Sequence, residues 1–397
     1  MYANQGYNQL NTRRIGSADN MTEQIILKAD QNYNQLQAYL KKIEAKNILL
    51  VCESFISQLQ INDWLKALES RSGISFVRFG NFEPNPQYSS VVEGVERFRQ
   101  FKCDCIMAVG GGSAIDVAKC IKLFSNMDHT RNYLEQIIVP NHVKLIAIPT
   151  TAGTGSESTH FAVIYYQGEK QSISDESCIP SSILFDSSAL NTLPMYHKKS
   201  SMLDAFCHAI ESFWSVNSTE KSKQYSRQAL QIMLKNMKAY LRNDEMSSIS
   251  MLHGANLAGK AINIAQTTAG HAMSYKLTNI YGIAHGHACA LCVAGLWPYM
   301  IQHSDKCVDP RGKLYLQSVF QDIADAMGCS AVDEAPVKFK SILDGLDLPV
   351  PCSKEEDYLI LKSSVNPVRM KNNPVKLSDD AVDIIYHQIL ERDYTSF

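Results

Sequence analysis

The chain has 397 residues, 45% of them hydrophobic and 20% charged, an ordinary globular balance in a chain too long for one compact core. Its 38 basic and 40 acidic residues nearly cancel, so nothing in the charge points to a nucleic acid or an anionic membrane surface. No stretch approaches the roughly 20 apolar residues of a membrane span. Eleven scattered cysteines behind a polar start carrying Arg13 and Arg14, with no secretory signal, read as reduced, mostly buried thiols of a cytoplasmic protein.

Residues 1–20, rich in Asn, Gln and Gly, read as a polar tail. Beyond it, Asn47–Cys52, Cys105–Val109 and Lys144–Ile148 are continuous apolar runs bounded by turn residues, the pattern of parallel strands buried on both faces. Helical patterns at about 55–70, 89–102 and 113–125 separate them, and the alternation predicts an α/β domain over 21–193. After Leu193-Pro194 only helical spacing remains, at about 197–215, 220–242, 247–266 and 286–302. This predicts an all-helical domain over 194–397.

Two loops in the first half have ligand character. Gly110-Gly111-Gly112-Ser113 follows a strand and opens a helix containing Asp116. Glycines there let a backbone approach a diphosphate, and the helix start offers free N–H groups. The common GxGxxG fingerprint fails, because Ile115 stands where its last glycine belongs. The plainer reading is a tight turn with Ser113 as N-cap. The second loop, Pro149-Thr150-Thr151-Ala152-Gly153-Thr154-Gly155-Ser156-Glu157, also follows a strand end, where open α/β sheets bind ligands. Its plainer reading is a capping box from Thr154 to Glu157, and both readings can hold together.

In the second half, Asp204 and His208 stand four apart on a helix and so share a face. With His271 and His285 they make an N/O donor set suited to Fe²⁺ or Zn²⁺. A single buried histidine is usually a satisfied core residue; four candidates in Gly/Ala-rich surroundings weaken that alternative. His287, beside His285, reads as a supporting hydrogen-bond partner or proton relay. Cys289 and Cys292 form a CxxC with no second pair, so buried helix thiols are favoured over a metal or redox site.

GGGSAIDVAK, PTTAGTGSE, DAFCHAIE and the His271/His285 pair together resemble the iron-containing (group III) alcohol dehydrogenase family, over about residues 25–390. The resemblance implies a nucleotide-binding α/β domain and a helical domain, the architecture also found in dehydroquinate synthase, with metal and substrate in the cleft between them. It implies metal ligands Asp204, His208, His271 and His285, and a diphosphate site at Gly110, Gly111, Gly112, Ser113 and Asp116. Thr150, Thr151, Thr154 and Ser156 would line the nicotinamide side, with Asn85 also beside the cofactor. A homodimer or larger assembly is implied as well.

The chain departs from the family pattern at Tyr275, where many members carry a second histidine, so the proton relay falls to Tyr275, His287 or water. Glu53, just past the first strand, matches an acidic family position against the adenosine ribose and favours NAD(H) over NADP(H). Several stretches look like the phosphonoacetaldehyde reductase subgroup, with RMKNNPV among them. Its anionic substrate would need cationic partners, for which His160, Lys260, Lys276, Arg369 and Lys371 are candidates. Rival readings are a general short-chain aldehyde reductase, a metal- and NAD-using lyase of the dehydroquinate synthase type, and a non-catalytic protein keeping the fold.

Overall fold

A computed structural model describes residues 24–390; the polar tail over 1–20 lies outside the described residues. Among the described residues there are eight strands: β1 (Ile25–Lys28), β2 (Asn47–Cys52), β3 (Ser75–Phe79), β4 (Cys105–Gly110), β5 (Lys144–Pro149), β6 (Phe161–Tyr166), β7 (Glu169–Ser174) and β8 (Ser182–Phe185). Six form one parallel sheet in the order β1-β8-β5-β4-β2-β3. The continuous apolar runs follow from its environment. Leu49, Val51, Ile106 and Ala108 pack into a core on one face, while Ile48, Leu50, Cys105 and Met107 pack into another on the opposite face. A strand covered on both sides has no polar alternation to show.

Helices α1 (Asn34–Lys42), α2 (Gln60–Ser72), α3 (Tyr88–Gln100) and α4 (Gly112–Phe124) cover this sheet. The sequence reading overlooks β1, β3, β8 and the antiparallel β6–β7 pair. The hairpin had a local signal. Gln167 and Gly168 both have positive φ (53° and 81°), the requirement of a two-residue type I′ turn, and Gly168 meets it without side-chain strain.

From Met195 onward the described chain is helical: α5 (Met195–Trp214), α6 (Glu220–Tyr240), α7 (Glu245–Ala265), α8 (Ala269–Tyr281), α9 (His285–Gln302), α10 (Lys313–Ala326), α11 (Glu334–Asp344), α12 (Glu355–Ser363), α13 (Pro367–Met370) and α14 (Asp379–Leu390). One apolar cluster, with Trp214, Trp297 and Phe339 fully buried in it, holds this half together. No described helix is long and apolar enough to cross a membrane. The two halves meet closely where Gly155, at φ +62°, lies against the backbone of Gly259 on α7. A Cβ on either would collide with the other.

Candidate active site

The sheet order fixes where a ligand crevice opens. From β2 the chain steps outward to β3 and then returns to the other side of β2 as β4, so the winding direction switches between β2 and β4. Open parallel sheets bind ligands at the carboxyl ends of strands flanking such a switch. Glu53 directly follows β2, Gly110–Gly112 end β4 and begin α4, and Thr150 directly follows β5. The predicted cofactor residues therefore collect along one sheet edge. Asn85 sits in a neighbouring loop with φ +61°, tied down where Tyr165 N–H donates to Pro86 O at 2.8 Å.

Both plainer readings of these loops need correction. Gly111, not Ser113, is the N-cap of α4, and Gly155 precedes a short turn of 3₁₀ helix over Ser156–Ser158 without the Thr154–Glu157 capping box. The glycines are close-contact positions. A Cβ on Gly110 would strike Ala114, and one on Gly112 would press against Thr154. Thr154 Oγ1 also accepts from Ser156 N–H at 3.2 Å, which fixes the turn of the threonine loop where it meets Gly112. Beneath them, Ser156 Oγ donates to Asp116 Oδ1, and Asp116 Oδ2 accepts from Val163 N–H at 2.9 Å. Buried Lys119 donates to Ser156 Oγ (3.1 Å), Thr159 Oγ1 (2.9 Å) and the Phe161 carbonyl (2.9 Å). Asp116 and Ser156 thus brace the loops from below. Thr151, Thr154, Gly111, Gly112 and Ser113 are the partly exposed members facing the crevice.

In the helical half, α5 presents Asp204 and His208, α8 presents His271 from its first turn, and α9 begins at His285. Gly286 lets α9 lie directly on α5, since a Cβ there would meet the Ser200 carbonyl and the Asp204 side chain. As a result the Nε2 atoms of His271, His208 and His285 lie 3.6, 3.9 and 4.0 Å from Asp204 Oδ1. Donors bound to one first-row metal at about 2.1 Å in tetrahedral array stand roughly 3.4 Å apart. Asp204 Oδ1 and His271 Nε2 are buried with no hydrogen-bond partner in the structure, which is costly unless something binds them. Burial opposes ionisation of Asp204, yet the facing His208, His271 and His285 hold its carboxyl below the usual range. A buried carboxylate and imidazole with orphaned atoms aimed at one point fit a divalent metal.

A residue the sequence reading passed over supports this set. Glu211, one turn beyond His208 and fully buried, accepts from Thr268 N–H (3.1 Å), Thr268 Oγ1 (2.6 Å) and Gly270 N–H (3.0 Å), and from His271 Nδ1–H. A carboxylate on Nδ1 leaves the Nε2 lone pair of His271 free for a metal. The signal lay in DAFCHAIE, where Glu211 shares a helix face with His208 and Asp204 at spacings of three and seven.

The remaining candidates separate cleanly. Tyr275 stacks on His285 (ring centroids 5.5 Å, planes 2° apart) and lies in the cleft. Lys170, on the overlooked hairpin, places Nζ 3.8 Å over the Tyr275 ring. Burial works to raise the Tyr275 phenol, but the charges of Lys170, Arg369, His271 and His285 outweigh it and the net shift is downward. Arg369, on α13, also donates from Nη1 to Gln266 Oε1 at 3.3 Å. His287 is elsewhere: its Nδ1 faces the Tyr196 hydroxyl at 3.3 Å, and that hydroxyl also accepts from Ala284 N–H. His160 faces Glu176 (3.6 Å), and its backbone N–H is held by Asn263. Lys260 lies near Glu157 and on the wall of a groove with Ile26, Lys235 and His253. Of His160, Lys260 and Arg369, only Arg369 acts on Tyr275.

Comparison with known proteins matches two family models in register with this layout. "Iron-containing alcohol dehydrogenase" covers residues 23–187, and "Fe-containing alcohol dehydrogenase family, C-terminal" covers 198–390. The chain is 30% identical over 360 residues to alcohol dehydrogenase 4 of Schizosaccharomyces pombe, covering 86% of this chain and 82% of that one. It is 27% identical over 322 residues to the phosphonoacetaldehyde reductase of Streptomyces viridochromogenes, covering 77% and 81%. The crystal structure of sulfoacetaldehyde reductase from Bifidobacterium kashiwanohense in complex with NAD+ superposes with a TM-score of 0.81 at 25% identity, covering 93% and 98%. Against the aldehyde-alcohol dehydrogenases of Streptococcus pneumoniae, also 27% identical, the chain spans 39% of their length.

Proposed function

The chain belongs to the iron-containing alcohol dehydrogenase family, and on that premise we propose that it reduces a small anionic aldehyde, phosphonoacetaldehyde first among them, to its alcohol with NADH. The observation that carries this is the convergence of Asp204, His208, His271 and His285, with orphaned donors at their centre, in the helical half that packs against the glycine and threonine loops. Bound between these residues, a divalent metal such as Fe²⁺ supplies Lewis-acid polarisation of a carbonyl, and reduced nicotinamide in the loop crevice supplies hydride.

The protein's own groups do the rest. Glu211 holds His271 in the tautomer that exposes Nε2. Gly110 to Gly112 keep the backbone bare where a diphosphate approaches, and Lys119 keeps the threonine loop pressed on α4. Tyr275 is the proton donor this reading favours for the developing alkoxide: it lies on His285, and the surrounding cations ease loss of its proton. On this reading Glu53, which follows β2, would accept from a ribose 2′-hydroxyl and repel a 2′-phosphate, which supports NADH over NADPH.

Support for an anionic substrate is the positive field at Tyr275 from Lys170 and Arg369, together with the phosphonate- and sulfonate-bearing aldehydes named for two similar proteins. The test is NADH oxidation by Fe²⁺-loaded protein with phosphonoacetaldehyde, propanal and glycolaldehyde at equal concentration. We expect kcat/KM at least roughly tenfold higher for the phosphonate, about 1.4 kcal/mol of transition-state preference. Equal values would leave a general aldehyde reductase, and no NADH oxidation with any aldehyde would remove the reading.

A further inference from the structure

The β6–β7 hairpin carries a cation to which neither the metal cluster nor the cofactor loops give a role. Lys170 stands opposite Tyr165 in the hairpin, and Tyr165 N–H donates to the Pro86 carbonyl at 2.8 Å. That bond ties the hairpin to the loop holding Asn85. From there Lys170 leaves the α/β half and sets Nζ 3.8 Å over the ring of Tyr275 in the helical half. Tyr275 in turn lies parallel to the His285 ring, with centroids 5.5 Å apart. One phenol ring thus touches both this cation and the metal cluster.

A second cation is brought to the same ring by the helical half. Asn366 caps α13, accepting from Val368 N–H and Arg369 N–H. Its own N–H donates to the Ala272 carbonyl of α8 at 3.4 Å, so Arg369 is fixed against the helix that carries Tyr275. Arg369 Nη1 donates to Gln266 Oε1 at 3.3 Å, and Asn372 Nδ2 donates to that oxygen at 3.2 Å. Gln266 ends α7 with φ 60° and ψ 166°, a backbone conformation almost confined to glycine. Such strain persists only where the surroundings hold it, and here it presents the acceptor that aims Arg369. Among the described residues neither Lys170 nor Arg369 makes an ion pair, whereas His160 faces Glu176 and Lys260 lies near Glu157. Two cations drawn to one ring repel each other, and an anion between them relieves that repulsion.

We propose that Lys170 is a specificity-determining residue which, with Arg369, grips the acid group of the substrate from the two halves of the cleft. The inference rests on the anionic-aldehyde reading and adds to it the groups that read the charge. Arg369 offers a planar fork matched to two oxygens of a phosphonate or sulfonate. Lys170 offers a point charge on a flexible stem, able to leave the Tyr275 ring for a third oxygen.

Lys170→Met tests this, because it removes the charge and keeps an apolar stem over Tyr275. The measured quantity is the ratio of kcat/KM for phosphonoacetaldehyde to kcat/KM for propanal, which cancels any general loss of turnover. It should fall roughly tenfold or more, the size of a lost charge-assisted hydrogen bond, with the change mainly in KM. Calorimetric binding of the product 2-hydroxyethylphosphonate should weaken in parallel, and Lys170→Arg should restore both. A wild type that prefers the phosphonate and a Lys170→Met variant that keeps the full preference overturn the proposal and leave the anionic-aldehyde reading standing. Failure of Lys170→Arg to restore either quantity also overturns it, since packing rather than charge would then be at work. A wild type with no preference for the phosphonate overturns the reading itself, and the proposal with it.

Discussion

Replacing Glu211 by Gln tests how far the metal site depends on a residue that would never touch the metal. Glu211 accepts from Thr268 N–H, Thr268 Oγ1 and Gly270 N–H through Oε1, and from His271 Nδ1–H through Oε2. Gln has the same shape, and its carbonyl oxygen keeps the first three bonds. Its NH₂ then faces His271 Nδ1, which must become an acceptor, and the proton moves to Nε2, where the metal should bind. Losing such a carboxylate partner typically costs about 10–100-fold in metal affinity, about 1.4–2.7 kcal/mol. Competition against a chromophoric chelator reads this, while the melting temperature of the metal-free protein should barely move. Glu211→Ala is the contrast: it strands several buried donors at about 1–3 kcal/mol each, so the metal-free fold itself should weaken. Unchanged metal affinity in the Gln variant would refute the tautomer argument.

Lys119→Met removes the cation that bridges Ser156, Thr159 and the Phe161 carbonyl. With each stranded acceptor worth on the order of 1–3 kcal/mol, NADH binding measured by fluorescence should weaken while metal affinity stays put. Glu53→Gln should raise kcat/KM with NADPH relative to NADH, and equal use of both cofactors by the wild type would count against an acidic ribose partner. Acid stability offers a further check on the metal-free protein. Burial pushes the His287 imidazole down to about 4, so the folded state binds fewer protons than the unfolded chain, whose histidines titrate at about 6.5. Stability is then full above that unfolded value and falls as pH drops towards 4. His287→Gln should flatten that part of the melting-temperature profile, and an unaltered profile would show that His287 is not charged on unfolding.

What the sequence showed and what it hid divide along physical lines. The strands Asn47–Cys52, Cys105–Gly110 and Lys144–Pro149 were legible because a strand buried on both faces leaves an unbroken apolar run. Ser75–Phe79 was not, because it is an edge strand whose burial is partial and whose Arg78 breaks the run. The ligand candidates were legible as residue types at helical spacing, but no spacing reveals that Glu211 turns inward to His271. That depends on how α5, α8 and α9 pack, and on Gly286 allowing two of them to touch. Where the candidate substrate cations point was hidden for a related reason. Lys260 and His160 have the right charge type, but their helix and loop turn them towards Glu157 and Glu176.

Lys170 shows why the two halves have to be read together. It belongs to the β6–β7 hairpin of the α/β half, and its charge bears both on Asp116 beneath the glycine loop and on Tyr275 beside the metal cluster. Such a residue links the crevice expected to hold nicotinamide to the group expected to donate the proton. Its placement requires the exact approach of the halves, which the Gly155–Gly259 contact sets, since a methyl on either glycine would force the loop off α7. Gly155→Ala adds to this a left-handed φ that a side chain tolerates poorly. The variant should therefore lose turnover through misplacement of Lys170 against Tyr275 while Asp204, His208, His271 and His285, all outside the moved loop, still retain metal. A variant that lost metal and turnover together would mean that the seam supports the metal site itself, and that the two halves are not separable in the way their packing indicates.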